Sequence, residues 1–414
     1  MKRRVVVTGL GAITPVGLTL EDFWNSLING ISGVDNITYF DTTEFDTKFA
    51  AELKGFNPLN YMDRKLSQRT DPFTQYAIAA SDMALKDSGI DLEKIDRDRA
   101  GVIFGSGIGG MITYQKQTQI LFDRNGNPDR ISPFFIPMLI SDIVPGRISM
   151  RHGLKGPNYG TVSACSTSAH SIIDSCMIIQ RGDADIIVTG GSEAVICPMG
   201  VGGFNAMKAL STRNDAPQKA SRPFDKNRDG FVMGEGSACL ILEELEHALK
   251  RNARIYAELT GFGMTSDAHH ITDPAPNGEG VVKAMRLAIK DSNLQAEDID
   301  VINAHGTSTP PNDRNETTAI KTVFGERAYK MPVHSVKSML GHLLGAAGAI
   351  EAIASVLTIR DGIVPPTINY ETKDEECDLF YVPNKAIKHD VKTVLTDNSG
   401  FGGHNTAIIF KKFD

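Results

Sequence analysis

Cysteine is scarce in this chain, tryptophan scarcer, and no long apolar run occurs. Five cysteines, at 165, 176, 197, 239 and 377, stand among 414 residues, and no two form a CxxC pair. That excludes a disulfide framework, leaves a small buried thiol as the ordinary role of each, and points to a reducing compartment. No stretch approaches the ~18 apolar residues of a membrane span. The opening Met1-Lys2-Arg3-Arg4 carries the charge of a secretory leader. The apolar run behind it is short, however, and reads through Thr8-Gly9-Leu10-Gly11 as a strand entering a turn. No signal peptide is expected, and the cytoplasm is the expected location. The net charge of -7 excludes bulk attraction to nucleic acid or an anionic membrane, though not a local basic patch. Linkers rich in proline or serine are missing too.

What is present is a globular composition, 41% hydrophobic and 22% charged, in a chain long for one core, since domains usually run to ~100–200 residues. Short β-branched runs recur at 4–8, 101–105, 185–190, 238–242, 299–304, 393–396 and 406–410. Continuous runs of this length suit strands buried on both faces. Helical patterns at 74–88, 166–180, 280–291 and 345–360 lie between them. Alternation of the two gives an α/β class. A faint repeat is also visible: each half has a glycine-edged strand, a long insert, a small-residue turn opening an apolar helix, and a strand closed by Gly-Gly (190–191, 402–403). The first turn carries Cys165, and Lys337-Ser338 is read as its counterpart. Two similar units, 1–252 and 253–414, sharing a large interface, are the expected organisation.

Several motifs invite chemistry. Gly105-Ser-Gly-Ile-Gly-Gly110 matches GxGxxG, but no acid stands at a strand end about 20 residues on, so tight packing explains it better than a dinucleotide. His269 and His270, in Asp267-Ala-His-His-Ile-Thr-Asp273, face different sides and have no further ligand at metal spacing; a loop beside a site is the reading, and no metal is assigned. Cys165 lies in Gly160-Thr-Val-Ser-Ala-Cys-Ser-Thr-Ser-Ala-His170, where small and hydroxylic residues precede an apolar helix. A thiol there meets free N–H groups that stabilise a thiolate and cradle an oxyanion. From this segment alone, a nucleophile and a buried structural thiol serve equally well. The second half tips the balance. His305 ends a strand and leads into Gly-Thr307-Ser-Thr309-Pro310, and His342 sits in Val336-Lys337-Ser-Met-Leu-Gly-His342 before Gly345-Ala-Ala-Gly348. A thiol and two histidines at element ends form the constellation expected for thiol chemistry.

At these residues the sequence resembles the condensing enzymes of fatty-acid synthesis, the elongating β-ketoacyl-acyl-carrier-protein synthases, closer to the type II than the type I branch. The likeness runs from Val5-Val-Val-Thr-Gly-Leu-Gly-Ala-Ile-Thr-Pro-Val-Gly17 through Ser221-Arg-Pro-Phe-Asp225 and Gly230-Phe-Val-Met-Gly-Glu-Gly236 to Gly400-Phe401-Gly402-Gly403. It implies a duplicated thiolase-like fold in five layers (α-β-α-β-α) with two mixed sheets, assembled as a homodimer. Cys165 would take an acyl chain from acyl carrier protein. His305 and His342 would act on malonyl-carrier protein as carbon dioxide leaves, and the enolate would attack the acyl-Cys165 thioester. The N–H groups of Cys165 and Phe401 would form the oxyanion hole, and Lys337, paired with Glu351, would order the histidines. Implied substrate contacts are Ile108, Phe134, Thr307, Thr309, Glu351 and Gly402, with the threonines on the phosphopantetheine arm that arrives on the carrier protein. No cofactor bound to the enzyme itself is implied. The chain departs from the family at Ser399, where many members have a second phenylalanine, and at Cys165-Ser-Thr-Ser, where Cys-Ala-Thr-Gly is commoner.

Basic residues Arg64, Lys65 and Arg69, with Lys208 and Arg213 in another loop, read either as a solvated face or as the dock for an acidic carrier protein. A thiolase would need a second cysteine near the C-terminus, and Gly400-Phe-Gly-Gly-His404 has none. A non-catalytic chain-length partner lacks the nucleophile that Cys165 supplies, and no papain-like signature occurs. A type I or polyketide ketosynthase is the remaining alternative.

Overall fold

Each β-branched run becomes a strand. In this computed structural model, which describes residues 2–413, ten strands share one sheet. They are β1 (Val5–Ile13), β2 (Ala100–Gly105), β3 (Asn158–Tyr159), β4 (Ile186–Glu193), β5 (Gly236–Glu244), β6 (Ala257–Ser266), β7 (Val301–Asn303), β8 (Val333–His334), β9 (Thr393–Gly400) and β10 (His404–Lys411). Their order is β8-β7-β9-β10-β6-β1-β5-β4-β2-β3. Outward from the middle, each half therefore runs first, fifth, fourth, second, third. The first three strands of each half pair antiparallel and the last two join in parallel. The repeat glimpsed in the sequence is thus a duplicated topology.

The two mixed sheets expected are two five-stranded blocks joined edge to edge. Val5, Val6 and Val7 pair with Leu259, Glu258 and Ala257, so the ladder continues from one block into the other. Strand β6 escaped the sequence reading because it alternates buried and half-buried residues where a continuous apolar run was sought. Thr8-Gly9-Leu10-Gly11 is no turn: β1 runs through it to Ile13, with an irregularity between Val7 and Gly9. The glycines let a helix approach. A Cβ on Gly9 would lie 2.3 Å from Ala84 O and one on Gly11 2.1 Å from Ala80 O.

That helix is α1 (Pro72–Ser88), begun by the Asp71 cap with Pro72 in its first turn and ended by left-handed Gly89. The other principal helices are α2 (Met111–Asp123), α3 (Thr167–Arg181), α4 (Glu279–Asp291), α5 (Pro310–Phe324) and α6 (Ala347–Asp361). Helix α1 covers β1 and β5, and α4 covers β6 and β10. Helices α3 and α6 pack on each other and on strands of both blocks. Every residue of α6 from Ala347 to Ile359 is buried, as a helix enclosed on all sides must be. The result is five layers, with α3 and α6 in the centre. One apolar cluster joins Val5 and Ile173 to Ile353 and Phe410 across both blocks. Among the described residues no helix is long and apolar enough to cross a membrane.

Candidate active site

Both central helices start from a 3-10 turn, and the first of these carries Cys165 (Ala164–Ser166). Ala164 has φ +50°, an uncommon conformation for a residue with a side chain. Local bonds hold it: Thr167 Oγ1 donates to Ala164 O at 2.7 Å and accepts from Ser163 N at 2.8 Å, and Ser166 Oγ donates to His404 O at 2.8 Å. Strand β9 ends directly against the turn; a Cβ on Gly400 would lie 3.1 Å from Cys165 N and 2.9 Å from Ser163 O. The Phe401 N–H lies beside the sulfur and favours its anion. The expected thiolate does not form at rest. Burial pushes the Cys165 thiol up to about 12, outweighing Lys337 and the Phe401 N–H, which favour ionisation. Partial helix charge is too weak to reverse desolvation of a sulfur anion.

The turn that matches Cys165 in the second half is Leu344–Ala346, not Lys337-Ser338; Leu344 has φ +48° and α6 follows it. His342 lies just before this turn, and its Nδ1 accepts from Leu344 N at 3.2 Å. The proton of a neutral imidazole is then on Nε2, which is buried and without a protein partner. His305 reaches the same state by another route. Its Nδ1 lies 3.3 Å from both Lys337 Nζ and Asn398 Nδ2, two donors, so it accepts and Nε2 carries the proton. The two rings stand 5.3 Å apart at 86°. Burial, then the Lys337 charge, holds both histidines well below the ordinary imidazole value, with His342 adding to the shift on His305. Both are neutral donors at physiological pH.

A buried network fixes these rings. Lys337 Nζ donates to His305 O at 2.7 Å and pairs with Glu351, which accepts from Asn398 Nδ2 at 2.5 Å. Behind His305, Glu316 accepts from the His305 and Gly306 N–H groups at 2.6 and 2.8 Å. Glu316 faces Asp397; burial, then repulsion from Asp397, pushes Glu316 well up, while burial, with repulsion from Glu351 and against the bond from Glu316, pushes Asp397 up to about 7. Two carboxyls so placed share a proton. Asn398, Glu316 and the Leu344 amide were missed in the sequence. The only signal was the run Asp397-Asn398-Ser399, polar residues on a strand with apolar neighbours.

Cys165, His305 and His342 open on one cavity of about 400 Å³. Ile108, Phe401, Thr307 and Thr309 line it as expected, the threonine hydroxyls 2.9 Å apart. Lys208 stands at its mouth, bonded to Asp46. Other expected contacts fall outside. Gly402 spends its N–H on Ile271 O at 2.8 Å and does not line the cavity, because the loop turns away there. Glu351 lies behind Lys337, held by the ion pair and out of reach of a substrate. Phe134 lies under the Arg69 guanidinium, 4.3 Å from it, and both are half-buried. Arg64 and Lys65 are exposed on a short helix, and Arg213 bonds Asn227 O at 3.2 Å. The loop with His269 and His270 flanks the cavity through Asp267, Thr272 and Asp273.

A duplicated five-layer fold with a thiol facing two neutral imidazoles defines a condensing enzyme of the thiolase type, an acyltransferase. Residues 2–248 match the family described as beta-ketoacyl synthase, N-terminal domain, and residues 256–371 match its C-terminal domain. The chain belongs to the beta-ketoacyl synthase family. It is 50% identical over 414 residues, all of both chains, to the 3-oxoacyl-[acyl-carrier-protein] synthase 2 of Coxiella burnetii. Among solved structures, the ishigamide ketosynthase/chain length factor is 35% identical with a TM-score of 0.94, covering all of both chains. The AntDE:AntF complex, a type II polyketide ketosynthase with its acyl-carrier protein, is also 35% identical, with full coverage of both chains and a TM-score of 0.92.

Proposed function

We propose that this chain is an elongating 3-oxoacyl-[acyl-carrier-protein] synthase. One observation carries the reading: two Nε2–H donors, on neutral His305 and His342, and the Cys165 sulfur share a single cavity. In the first step the Cys165 sulfur attacks the thioester of an acyl-carrier protein. The acyl–sulfur bond to the pantetheine thiol breaks as the bond to Cys165 forms, and the Cys165 proton leaves on the released thiol. The Cys165 and Phe401 N–H groups hold the oxyanion. In the second step malonyl-carrier protein loses carbon dioxide, and the electron pair moves onto its thioester oxygen. His305 and His342 donate to that oxygen, and neutral donors suit it because no proton has to be returned before the carbon reacts. The enolate carbon attacks the acyl-Cys165 carbonyl, the carbon–sulfur bond breaks, and a 3-oxoacyl-carrier protein two carbons longer leaves. The thiolate recovers a proton from solvent.

Thr307 and Thr309 are the assigned contacts of the phosphopantetheine arm, which comes with the carrier protein. Arg64, Lys65, Arg69, Lys208 and Arg213 are assigned to its acidic surface. The relatives' names support this partner, as does the AntDE:AntF complex. Units 1–252 and 253–414 are assigned as the two halves. A homodimer is supported by the free edge at β3, where Tyr159 and Val162 are exposed, and by exposed Phe122, Ile136, Ile140 and Met150. An unpaired edge beside apolar side chains suits a second copy of the same strand. Phe134 is assigned to the lining of the acyl pocket near that interface.

A polyketide ketosynthase is the second reading, favoured by full-length likeness to the ishigamide and AntDE proteins. Identity is higher, 50% against 35%, toward the fatty-acid type. The test is condensation of malonyl-carrier protein with acyl-carrier proteins from short chains to ~16 carbons, a span that buries ~0.8 kcal/mol per added methylene in an apolar pocket. One 3-oxoacyl product per carbon dioxide released on saturated chains supports the reading. Turnover only on poly-oxo chains favours the polyketide type.

A further inference from the structure

Glu193 ends β4 in complete burial, and four donors converge on it. Gly107 N and Gly345 N reach Oε2 at 2.9 and 3.0 Å, while Ser106 Oγ and Ile108 N reach Oε1 at 2.9 and 3.2 Å. An ionised carboxylate accepts only and offers about four lone-pair sites. The donor set is therefore complementary to the anion: burial pushes the Glu193 carboxyl up, and the bonds from Ser106, Gly345, Ile108 and Gly107 work against that rise. An isosteric amide would turn its own N–H groups against two of these donors. The approach is close. A Cβ on Gly107 would stand 2.8 Å from Oε2, and one on Gly345 would stand 2.7 Å from it and 2.2 Å from Gly107 N.

Two of the donors, Gly107 and Ile108, belong to the wall of the cavity, and Gly345 follows a third wall residue, Leu344. The Leu344 N–H sets the tautomer of His342. The Ala164 carbonyl, in the peptide leading to Cys165, would lie 3.3 Å from a Cβ on Gly107. We propose, on the condensing reading above, that Glu193 is a positioning residue whose buried anion holds the Leu344-Gly345 turn, and through it the His342 donor, against the Ile108 wall. The charge has a second consequence at the thiol. Cys165 faces Lys337, which favours its ionisation, and Glu193 and Glu351, which oppose it, beside the neutral His305 and His342. Removing the Glu193 charge alone shifts that balance toward the thiolate.

The two effects oppose each other, and that makes them separable from simple damage. Glu193→Gln keeps the reach and loses the charge. Carbon dioxide release from malonyl-carrier protein is expected to fall about tenfold or more, while iodoacetamide alkylation of Cys165 near neutral pH rises, by about tenfold for each unit its pKa drops. Glu193→Asp keeps the charge and withdraws from the donors; decarboxylation is expected to fall with alkylation unchanged. A parallel fall of both rates in Glu193→Gln, or no change in either, overturns the proposal. If the Gln variant does not fold, the Asp variant decides by the same contrast, a parallel fall again counting against it. Failure of the unsubstituted protein to release carbon dioxide would sink the condensing reading instead, and the alkylation contrast would still test the charge.

Discussion

Two matching turns open the two central helices, and they are used in opposite ways. Ala164 at φ +50° leads into Cys165 and α3; Leu344 at φ +48° leads into Gly345 and α6. At Gly345 the turn's N–H is filled by the Glu193 carboxylate at 3.0 Å. At Cys165 the N–H has no partner among the described residues. The strand that faces it, β9, is eight residues long like β4, and ends in Gly400 where β4 ends in Glu193. One turn thus displays a bound carboxylate, and the other leaves the same place open for an oxyanion. Duplication supplied an anion-binding turn twice; a single glycine at the end of a strand keeps one of them free for chemistry.

The contrast breaks most completely at the thiol. Cys165→Ala makes the open turn as inert as its counterpart, and condensation is expected to fall by roughly a thousandfold or more, read as 3-oxoacyl product per unit time. Lys337→Met comes next. It leaves Glu351 charged and unpaired in the core, which costs about 3–5 kcal/mol in urea unfolding, and Glu351→Leu added to it restores part of that loss. His342→Ala removes one donor to the developing oxyanion and is expected to slow carbon dioxide release about a hundredfold. Gly400→Ala sharpens the comparison itself, since its methyl would press on Cys165 N at 3.1 Å and Ser163 O at 2.9 Å. It should lower acyl transfer to Cys165 while decarboxylation, which uses the imidazoles, stays closer to the unsubstituted rate; equal losses in both would argue against separate sites for the two charges.

The smallest effect is in pH dependence. The Cys165 thiol is raised, so its ionised fraction grows about tenfold per unit as pH rises and reaches one half only at about 12. Alkylation of the Cys165 peptide should therefore keep rising beyond pH 9.0, the ordinary thiol value. A plateau near neutrality would show a thiolate at rest.

Much of this was legible in the chain. The α/β class, most of the long strands and both central helices follow from continuous β-branched runs and glycines at helix ends. Cys165, His305 and His342 stood out because each sits where an element stops and a turn begins. The true counterpart of the Cys165 turn was not legible, because its signature is a positive φ at Ala164 and Leu344, and neither residue type announces one. The state of the thiol was misread for a different reason. A helix N-terminus is visible in sequence, whereas the burial that outweighs it is a property of the assembled layers. Asn398, Glu316 and Glu193 act on residues 93, 11 and 152 positions away, and only folding brings the two longer-range pairs together.

The most direct test follows the acyl group itself. The protein is mixed with acyl-carrier protein, the Cys165 peptide is weighed by mass spectrometry, and malonyl-carrier protein is then added. Expected is an adduct of the acyl mass on Cys165 that persists until the malonyl substrate arrives and then disappears with release of 3-oxoacyl product. An adduct on any other residue, or one that water discharges without malonyl substrate, would contradict a covalent condensing mechanism at this thiol.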